Sequence, residues 1–580
     1  MTERRSTLRF IIVAVCLHLA LLSVAARLAY LHLKPDGSFR KKIEDSHRYR
    51  KEILGGRGRI HEGSAEGNIL ALNLPVKDVC ADPAVLAKDG QAEATAARLA
   101  RDLELDPAIV TARLTRPDRR FEYVCRFAAD DKALQVEKMK IPGVFFRDMY
   151  ARYYPHGSFM CHVLGFANDE GVGSAGVEQI LDEHLKGYSG YMEGEVDARR
   201  REIYVRRTRE VPAQSGADVY LTLDQNIQYI LEQTLEAGVR KNQAKGGWGI
   251  VQRVRTGEIL AMASLPAFDL NDFRASTTSE RLNRSTGVVY EPGSTLKPVA
   301  ISAALNEGIV TPSTVFDCEN GAWLFQGKVL RDYHPYGNLC VADIIKKSSN
   351  IGTAKVALML GDERLGKYLK GFGFGGRLGI DLPGEETGIL HPVSRWSRIS
   401  ITRIGMGQGI AVTSLQMMGL FCAIANEGFL MRPYVVKRIV RSDGKVLLDR
   451  QPEVLGRPIS GQTAAVMREL LARVTEEGGT GKKAGVEGFR VAGKTGTAQK
   501  PINGVYSESA YVSSFVGFLP AEAPEIGIAM VIDEPQPLHT GGAVAAPLFG
   551  EVAEQVVRYM DILPAVPMVA ARDLTAARGH

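Results

Sequence analysis

The chain has 580 residues, of which 45% are hydrophobic and 24% are charged. This composition is that of an ordinary folded protein, and the length predicts two or more domains. The 72 basic residues are nearly balanced by 66 acidic ones, so the formal net charge is only +6. Such a weak basic field argues against nucleic acid as a partner.

A long apolar segment lies near the N-terminus. Residues 10–26 are almost wholly apolar, and three arginines occur in the nine residues that precede them. With its apolar flanks, the segment reaches the ~20 residues that a helix needs to span a bilayer. Because arginines before a span favour the cytoplasmic side, we predict a cytoplasmic tail over 1–8 and a transmembrane anchor over 9–33.

A cleaved signal peptide is the alternative for this segment. The string Ser23-Val24-Ala25 would suit a cleavage site, but the apolar region of a signal peptide is typically about 7–15 residues long. The run here is longer and continues past Arg27, which favours an uncleaved anchor. No second long apolar run follows, so nearly the whole chain is expected outside the cytoplasmic membrane.

The sequence beyond the anchor changes character twice. A polar and basic connector over 34–55 leads into a stretch that mixes short strands with helical segments such as Gln91 to Leu105. From residue 217 onward, long predicted strands lie at both ends of the segment and predicted helices lie between them. We therefore predict a first exterior domain over 34–216, a second over 217–560 and a C-terminal tail over 561–580.

Two hairpins define the fold class of the second domain. Residues 248–255 and 258–264 are joined at Thr256-Gly257, and residues 511–519 and 526–533 form another pair. The helices predicted between them make this an α+β domain with an antiparallel sheet.

Seven cysteines would lie in a compartment that permits disulfides. Cys318 and Cys340 flank a predicted hairpin, and a disulfide, two free thiols and a metal site remain open for this pair. The acidic and histidine residues near them in sequence are Asp317, Asp332 and His334. Cys16 and Cys422 occur in apolar helical stretches and are predicted to pack. Cys80 and Cys125 lie in short β-like runs, and nothing in the sequence pairs them.

The string Ser294-Thr295-Leu296-Lys297 places an amine beside a hydroxyl on one face of a helical turn, as an activated nucleophile requires. Pro292-Gly293 precedes it and Pro298 follows, so Ser294 is expected at a helix N-terminus. The apolar residues that follow predict a buried helix. The string alone is weak evidence for a nucleophile, since Ser442-Asp443-Gly444-Lys445 has the same Ser-x-x-Lys spacing. The Asp-Gly pair of that second string indicates a hairpin turn.

Two later strings supply further polar groups. Ser348-Ser349-Asn350 falls between two helical runs, which predicts a loop that can point hydroxyl and amide groups into a cleft. Lys494-Thr495-Gly496-Thr497 lies on the β-run from Phe489 to Ala498, and its glycines permit close approach by a ligand. An exposed edge there would let an extended peptide add as another strand.

In this order, the three strings resemble the signature of penicillin-binding proteins and serine β-lactamases. Further strings resemble motifs of the class B penicillin-binding proteins: Arg57-Gly58-Arg59-Ile60, Arg152-Tyr153-Tyr154-Pro155 with His162, Gly165, Gly176 and Glu178, Leu221-Thr222-Leu223-Asp224 with Gln228, Thr256 to Ala261, Gly407-Gln408-Gly409 and Ala492-Gly493. The layout is most similar to the FtsI-type division transpeptidases. The resemblance implies a pedestal over 34–216 and a penicillin-binding/serine β-lactamase-like transpeptidase domain over 217–560.

The resemblance also implies a role for each site residue. Ser294 would attack the penultimate D-alanine carbonyl of a peptidoglycan stem peptide and release the terminal D-alanine. Lys297 would be the general base, which requires a lowered pKa from burial and from a second cation, Lys494. Ser348 would relay a proton, and Asn350 would hold the donor's amide.

The third string would hold the donor's terminal carboxylate through Lys494, Thr495 and Thr497, with Gly496 between the two threonines. Backbone N–H groups of Ser294 and Thr497 would form the oxyanion hole. An acceptor amine from a neighbouring strand would then resolve the acyl-enzyme, and β-lactams would acylate Ser294.

The sequence departs from the class B pattern in two places. Residues 61–68 replace the usual Asp-Arg-Asn-Gly string after Arg-Gly, and Gln252-Arg253 stands where a small or acidic pair is common. Neither departure touches the three strings. They bear on which surfaces bind partners and on the subclass of the protein, and not on the expected reaction.

An elongation-type class B enzyme is the closest alternative to the division role, and a non-catalytic β-lactam sensor or division scaffold is another. A β-lactamase is disfavoured because no Glu-x-x-Leu-Asn string follows Asn350. The resemblance implies no cofactor and no metal. Its expected partners are stem peptides, β-lactams and, beside the anchor, a SEDS-type membrane glycosyltransferase with other division proteins. We expect a single span in the cytoplasmic membrane and a periplasmic or extracytoplasmic catalytic domain.

Overall fold

A computed structural model describes residues 2–33, 48–63, 67–88, 90–197, 209–502 and 504–564. These ranges leave out parts of three predicted segments: the connector, the C-terminal tail and residues 61–68, which depart from the class B pattern. The strands are β1 (Arg48–Ile53), β2 (Ile60–His61), β3 (Ile69–Ala81), β4 (Glu122–Ala128), β5 (Val144–Tyr153), β6 (Gly190–Glu195), β7 (Arg209–Val211), β8 (Asp218–Leu221), β9 (Gly246–Arg253), β10 (Ile259–Leu265), β11 (Val315–Asp317), β12 (Ala322–Phe325), β13 (Lys328–Arg331), β14 (Asn338–Cys340), β15 (Leu430–Met431), β16 (Val436–Val440), β17 (Val446–Asp449), β18 (Val454–Gly456), β19 (Ala492–Ile502), β20 (Val505–Leu519) and β21 (Ile526–Asp533).

The helices of the described residues are α1 (Thr2–Leu33), α2 (Pro83–Lys88), α3 (Ala92–Asp102), α4 (Pro107–Leu114), α5 (Asp130–Lys138), α6 (Cys161–Leu164), α7 (Gly176–Ile180), α8 (Asp182–Leu185), α9 (Gln225–Lys241), α10 (Arg284–Gly287), α11 (Lys297–Asn306), α12 (Val341–Lys347), α13 (Asn350–Leu360), α14 (Asp362–Gly371), α15 (Ser400–Gly405), α16 (Ser414–Ala425), α17 (Gly461–Ala472) and α18 (Gly541–Tyr559). The chain divides into two compact units, one from the described parts of 1–56 and 187–215 and the other from those of 57–186 and 216–580.

The first unit contains α1 and a small sheet in the order β1-β6-β7, whose neighbouring strands are antiparallel. Within α1, residues Ser6–Leu33 have a mean hydropathy of 2.4 in their most apolar window and are exposed along their whole length. This helix is long and apolar enough to cross a bilayer, and it fits the single anchor predicted over 9–33.

The second unit is built on a five-stranded antiparallel sheet in the order β10-β9-β21-β20-β19. Both predicted hairpins are present as β9–β10 and β20–β21. Successive residues of a strand point to opposite faces, so Phe515 packs with α9 and α18, whereas Val516 packs with α11 and α16. The α+β fold is confirmed, and β19, which carries the third string, is an edge strand.

A second large sheet of this unit has the order β17-β16-β8-β2-β3-β4, with β5 also paired to β3. Strand β8 runs parallel to β2, where Ile60 pairs with Val219, and antiparallel to β16, where Val436 pairs with Leu221. The sheet thus takes strands from both sides of the boundary at residues 216 and 217. The predicted domain limits remain a prediction.

One buried carboxylate connects two of the class B motifs. Glu178 is fully buried, and its two oxygens accept hydrogen bonds from Nε of Arg57 at 2.6 Å and from Nε of Arg152 at 2.7 Å. The Arg57 guanidinium also donates to the carbonyl oxygen of Glu178 at 2.8 Å. Because a buried charge is stable only when paired and hydrogen-bonded, these three residues depend on one another.

The cysteines are free thiols in the structure. Cys340 pairs in register with Val315, whereas the backbone N–H of Cys318 donates to the carbonyl oxygen of Gly337. The two cysteines therefore lie at different levels of the β11–β14 ladder and form no disulfide. Among the described residues, no cluster of three or more His, Cys, Asp or Glu side chains is suited to hold a metal ion, so free thiols are the alternative that the structure supports.

Candidate active site

The predicted nucleophile lies on a tight turn that leads into a buried helix. Residues Gly293–Leu296 form a 3-10 turn that continues directly into α11, and Ser294 is half-buried on that turn. The backbone N–H of Gly293 donates to the carbonyl oxygen of Gly407 at 3.0 Å. A Cβ atom on Gly407 would lie 1.9 Å from the carbonyl oxygen of Gly293, so only glycine fits there. The Gly407-Gln408-Gly409 string thus supports the nucleophile turn.

Lys297 is completely buried at the start of α11. Its Nζ donates to the carbonyl oxygen of Ser348 at 2.6 Å, to Oδ1 of Asn350 at 2.7 Å and to Oγ of Ser348 at 3.2 Å. No hydrogen bond of the Ser294 hydroxyl occurs within the described residues. The amine is therefore held by the second string, one helical turn from the nucleophile.

Lys494 also donates a hydrogen bond to the Ser348 hydroxyl. It is completely buried on β19, and its Nζ donates to Oγ of Ser348 at 2.9 Å. Ser348 thus bridges the Lys297 and Lys494 amines. The structure brings together all three strings around one serine hydroxyl.

The electrostatics of this bridge follow from burial. Burial lowers the pKa of Lys297 to about 7, although the negative charge of Asp332 opposes this effect. Burial, and then repulsion from the Lys297 charge, lower the pKa of Lys494 well below its usual value. The pKa of Lys297 is lowered as expected, but by burial and not by the Lys494 charge, because the repulsion between the amines lowers the pKa of Lys494 instead. The site favours at least one neutral amine near neutral pH.

The second string forms the junction of two helices. Ser348 ends α12 in the left-handed conformation, with a φ of 61°, and Ser349 caps α13 by accepting from the N–H of Gly352 at 2.9 Å. The predicted loop between helices is confirmed. The amide group of Asn350 donates to the carbonyl oxygen of Arg331 at 2.8 Å, which fixes its orientation toward Lys297.

Asp332 is a site residue whose role the sequence did not reveal. Its carboxylate accepts from the hydroxyl of Ser349 at 2.7 Å, from the backbone N–H of Ile351 at 3.0 Å and from that of Asn350. A carboxylate at a helix N-terminus is stabilised by the free N–H groups there. The only sequence signal was an acidic residue at the end of a predicted hairpin, which suggested a metal ligand instead.

The third string lies on β19, the edge strand of the five-stranded sheet, where Thr497 is exposed and the other three residues are buried. Thr495 donates to Oγ1 of Thr480 at 3.1 Å, and Oγ1 of Thr497 accepts from the N–H of Gly541 at 3.0 Å. A Cβ atom on Gly496 would lie 2.3 Å from Oγ of Ser514 and 2.9 Å from the carbonyl oxygen of Pro292. The glycine therefore allows β19 to approach the nucleophile turn closely.

A cavity of about 600 Å³ opens beside Ser294. The predicted site residues on its wall are Ser294, Ser348, Asn350, Thr495 and Thr497. The remaining three, Lys297, Lys494 and Gly496, do not line it. Its wall also includes side chains not predicted from sequence: Tyr333, His334, Lys347, Gln408, Thr480, Tyr511 and His539.

Residues 247–554 match the transpeptidase domain of penicillin-binding proteins, and residues 52–221 match the penicillin-binding protein dimerisation domain. The chain belongs to the penicillin-binding proteins. The two matches lie within the regions that the sequence assigns to a transpeptidase domain and, for the most part, to a pedestal.

Among curated relatives, this penicillin-binding protein is similar to the peptidoglycan D,D-transpeptidase FtsI of Escherichia coli, with 31% identity over 567 residues that cover 96% of this chain and 92% of the relative. It is 32% identical over 540 residues to the probable peptidoglycan D,D-transpeptidase PenA of Neisseria gonorrhoeae, which covers 92% and 90% of the two chains. The class B, FtsI-type assignment is confirmed.

Solved structures show the same architecture. Penicillin-binding protein 3 of Mycobacterium tuberculosis in complex with aztreonam is 27% identical and superposes with a TM-score of 0.69, over 90% of this chain and 99% of that one. Penicillin-binding protein 2X of Streptococcus thermophilus is 25% identical, with a TM-score of 0.72 over 88% and 80%.

Proposed function

We propose that this penicillin-binding protein is a peptidoglycan D,D-transpeptidase that cross-links stem peptides during septal wall synthesis. The observation that carries the proposal is the Ser348 hydroxyl held between two buried lysine amines, beside a cavity that contains Ser294. This arrangement supplies a base, a proton relay and a nucleophile within one site.

In the acylation step, Oγ of Ser294 attacks the carbonyl carbon of the penultimate D-alanine, and the neutral amine of Lys297 takes the hydroxyl proton. The backbone N–H groups of Ser294 and Thr497 stabilise the oxyanion that forms. When the peptide bond breaks, the proton passes from Lys297 through Ser348 to the departing D-alanine amine. The product is an ester between Ser294 and the donor peptide.

In the second step, a primary amine of another stem peptide attacks this ester. The amine gives up a proton to Lys297, and Ser294 recovers a proton as the ester bond breaks, so the enzyme returns to its starting state. The Lys494 amine and the hydroxyl groups of Thr495 and Thr497 hold the donor's carboxylate before acylation. The edge position of β19 suits an extended peptide.

The anchor role assigned to α1 rests on its length, hydropathy and full exposure. We place its N-terminus in the cytoplasm and the catalytic domain outside the membrane, because arginines precede the apolar segment. We assign a polytopic SEDS-type glycosyltransferase as the partner that packs against this helix within the membrane. Loss of co-purification when the apolar face of residues 10–26 is replaced would support this partner, and unchanged co-purification would exclude it.

The catalytic assignment is tested by labelling the full-length protein in detergent with a fluorescent penicillin. We expect Ser294→Ala to abolish the label. The matched control is Ser442→Ala, because Ser442 belongs to the second Ser-x-x-Lys string but lies exposed in the turn between β16 and β17. Persistent labelling of Ser294→Ala would contradict the assignment.

The septal role is tested in dividing cells with a fluorescently tagged chain. Concentration at mid-cell before constriction is the expected result. An even distribution along the side wall would instead favour the elongation-type alternative. A chain that carries Ser294→Ala and still sustains division would favour the scaffold alternative.

A further inference from the structure

The segment that leads into the nucleophile turn is paired with the segment that follows α15. The two run antiparallel, and Tyr290 and Val412 exchange backbone hydrogen bonds of 3.0 and 2.9 Å. At the other end of the pairing, the N–H of Gly293 donates to the carbonyl oxygen of Gly407 at 3.0 Å. Pro292 lies between these two levels and has no N–H to donate. The backbone therefore leaves a gap in the pairing next to the nucleophile turn.

The side chain of Glu291 fills this gap. Its Oε1 atom accepts a hydrogen bond from the backbone N–H of Gly409 at 2.8 Å. The same oxygen accepts from the hydroxyl of Tyr506 at 3.0 Å. Within the described residues, Oε2 has no hydrogen-bond partner and the carboxylate forms no ion pair. A single oxygen atom thus joins two distant segments to a residue three positions before Ser294.

Tyr506 belongs to the end of the β19–β20 hairpin that extends beyond its neighbour β21. Strand β21 pairs with β20 over 512–519 only, whereas β19 and β20 stay paired toward the tip of the hairpin. At the base of this hairpin end, Gln499 and Tyr511 pair in register and line the cavity beside Ser294. The bond from Tyr506 therefore links the nucleophile segment to a hairpin that borders the cavity.

The electrostatics favour both hydrogen bonds near neutral pH. Burial raises the pKa of Glu291, and the bonds from Gly409 and Tyr506 oppose this effect. Burial and the Glu291 charge raise the pKa of Tyr506 to about 12, so its hydroxyl keeps the proton that it donates. A carboxylate withdrawn from water without a cation depends on such donors.

We propose that Glu291 is a positioning residue for acylation, which holds the Gly407-Gln408-Gly409 string and the end of the β19–β20 hairpin against the nucleophile turn. The inference rests on the transpeptidase function proposed above. Glu291 adds no chemical step, because it acts through the segments that it joins. A displacement of about 1 Å in a reacting atom can slow a reaction about a hundredfold, so the support of Ser294 has a kinetic effect.

The test measures acylation of the full-length chain in detergent by stopped flow, with a chromogenic β-lactam at increasing concentration. We expect Glu291→Ala to lower the maximal acylation rate about 10–100-fold, with little change in the concentration that gives half of this rate. Glu291→Gln should retain the rate within about threefold, because its amide oxygen can accept the same two hydrogen bonds. A role confined to stability would lower the melting temperature and leave the rate of each labelled molecule unchanged.

A second variant removes one bond without disturbing the core. Tyr506→Phe deletes only a hydroxyl from a side chain that is 44% exposed, and we expect the maximal rate to fall about three- to tenfold. The matched control is Glu385→Ala, because Glu385 is a buried carboxylate that accepts from the backbone N–H groups of Leu378 and Gly379. Glu385 forms no ion pair within the described residues and does not line the cavity. Its labelled molecules should acylate at the wild-type rate.

The outcomes separate the positioning role from the function on which it rests. A wild-type rate in either Glu291→Ala or Tyr506→Phe would overturn the positioning role and leave the transpeptidase function intact. An equal loss of rate in Glu291→Gln and Glu291→Ala would also overturn it, since the glutamine keeps both acceptor contacts. A wild-type chain that takes no penicillin label would overturn the proposed function itself.

Discussion

The carboxylate of Asp332 accepts a hydrogen bond from the hydroxyl of Ser349 at 2.7 Å, across the gap between the β12–β13 hairpin and α13. This bond fixes the middle residue of the Ser348-Ser349-Asn350 string. The flanking residues of the string, which bind Lys297, therefore depend on a side chain 17 positions earlier in the sequence.

Asp332→Asn should have two separable effects, one on the stability of the fold and one on the pH dependence of acylation. Removing the charge at the helix N-terminus should cost about 1 kcal/mol of stability, as for a lost helix cap. The charge of Asp332 also raises the pKa of Lys297, so its removal should shift the acid limb of the acylation profile to lower pH. Penicillin acylation rates measured across pH would show this shift. A profile that moves to higher pH would contradict the interaction.

The wild-type acylation rate should depend on pH near neutrality. Lys297 acts as a base only when neutral, and burial lowers its pKa to about 7. The rate should therefore be low below this pH, rise as the pH passes through about 7 and level off above it. A stopped-flow measurement with a chromogenic β-lactam would give the profile. A rate independent of pH from about 5 to 9 would exclude Lys297 as the base.

Lys297→Arg should remove the base while keeping a positive charge. A guanidinium does not lose its proton near neutral pH, so acylation should slow by about 10²–10⁴-fold. The matched control is Lys355→Arg, since Lys355 is a partly buried lysine of α13 that pairs with Glu319 outside the cavity. The control should acylate at the wild-type rate, and equal losses in both variants would point to a general defect.

Gly407 and Gly409 provide a matched pair of substitutions. Both have positive φ, of 88° and 71°, so alanine at either position should cost about 1–2 kcal/mol of backbone strain. Only at Gly407 would the new Cβ collide with the nucleophile turn, because nothing lies within 4 Å at Gly409. Gly407→Ala should therefore slow acylation by about a hundredfold more than Gly409→Ala, through displacement of Ser294.

Glu178→Gln should destabilise the second unit. It removes the negative charge that pairs with the buried Arg57 and Arg152 guanidinium groups, of which only Arg57 keeps a second carboxylate, that of Asp182, and the expected loss is about 3–5 kcal/mol. The control is Glu236→Gln, whose partner Arg240 is largely exposed and whose loss should cost about 0.3–0.5 kcal/mol. Urea denaturation followed by tryptophan fluorescence would compare the two. Similar midpoints would show that the buried cluster contributes little.

The sequence predicted the parts of the site that depend on local rules. Pro292-Gly293 indicated the turn at Ser294, and the glycines around Lys494 indicated a strand that a ligand can approach. It did not predict that Asp332 caps α13, because strand β14 and helix α12 lie between the two in sequence. The burial that lowers the Lys494 pKa is likewise a property of the assembled fold. Local sequence patterns therefore predicted which elements form the site. The pKa shifts within it depend on contacts between residues that are distant in sequence.

The shared sheet of the second unit has a practical consequence. Strand β8, at 218–221, lies between β2 and β16, so a fragment that begins at Ala217 would lose β2 and gain an unpaired edge. Its apolar residues Val219 and Leu221, now fully buried, would lie beside that edge. Such an edge can pair with other chains, so the excised catalytic domain should aggregate unless residues 57–186 accompany it. The catalytic module of this protein is therefore discontinuous in sequence.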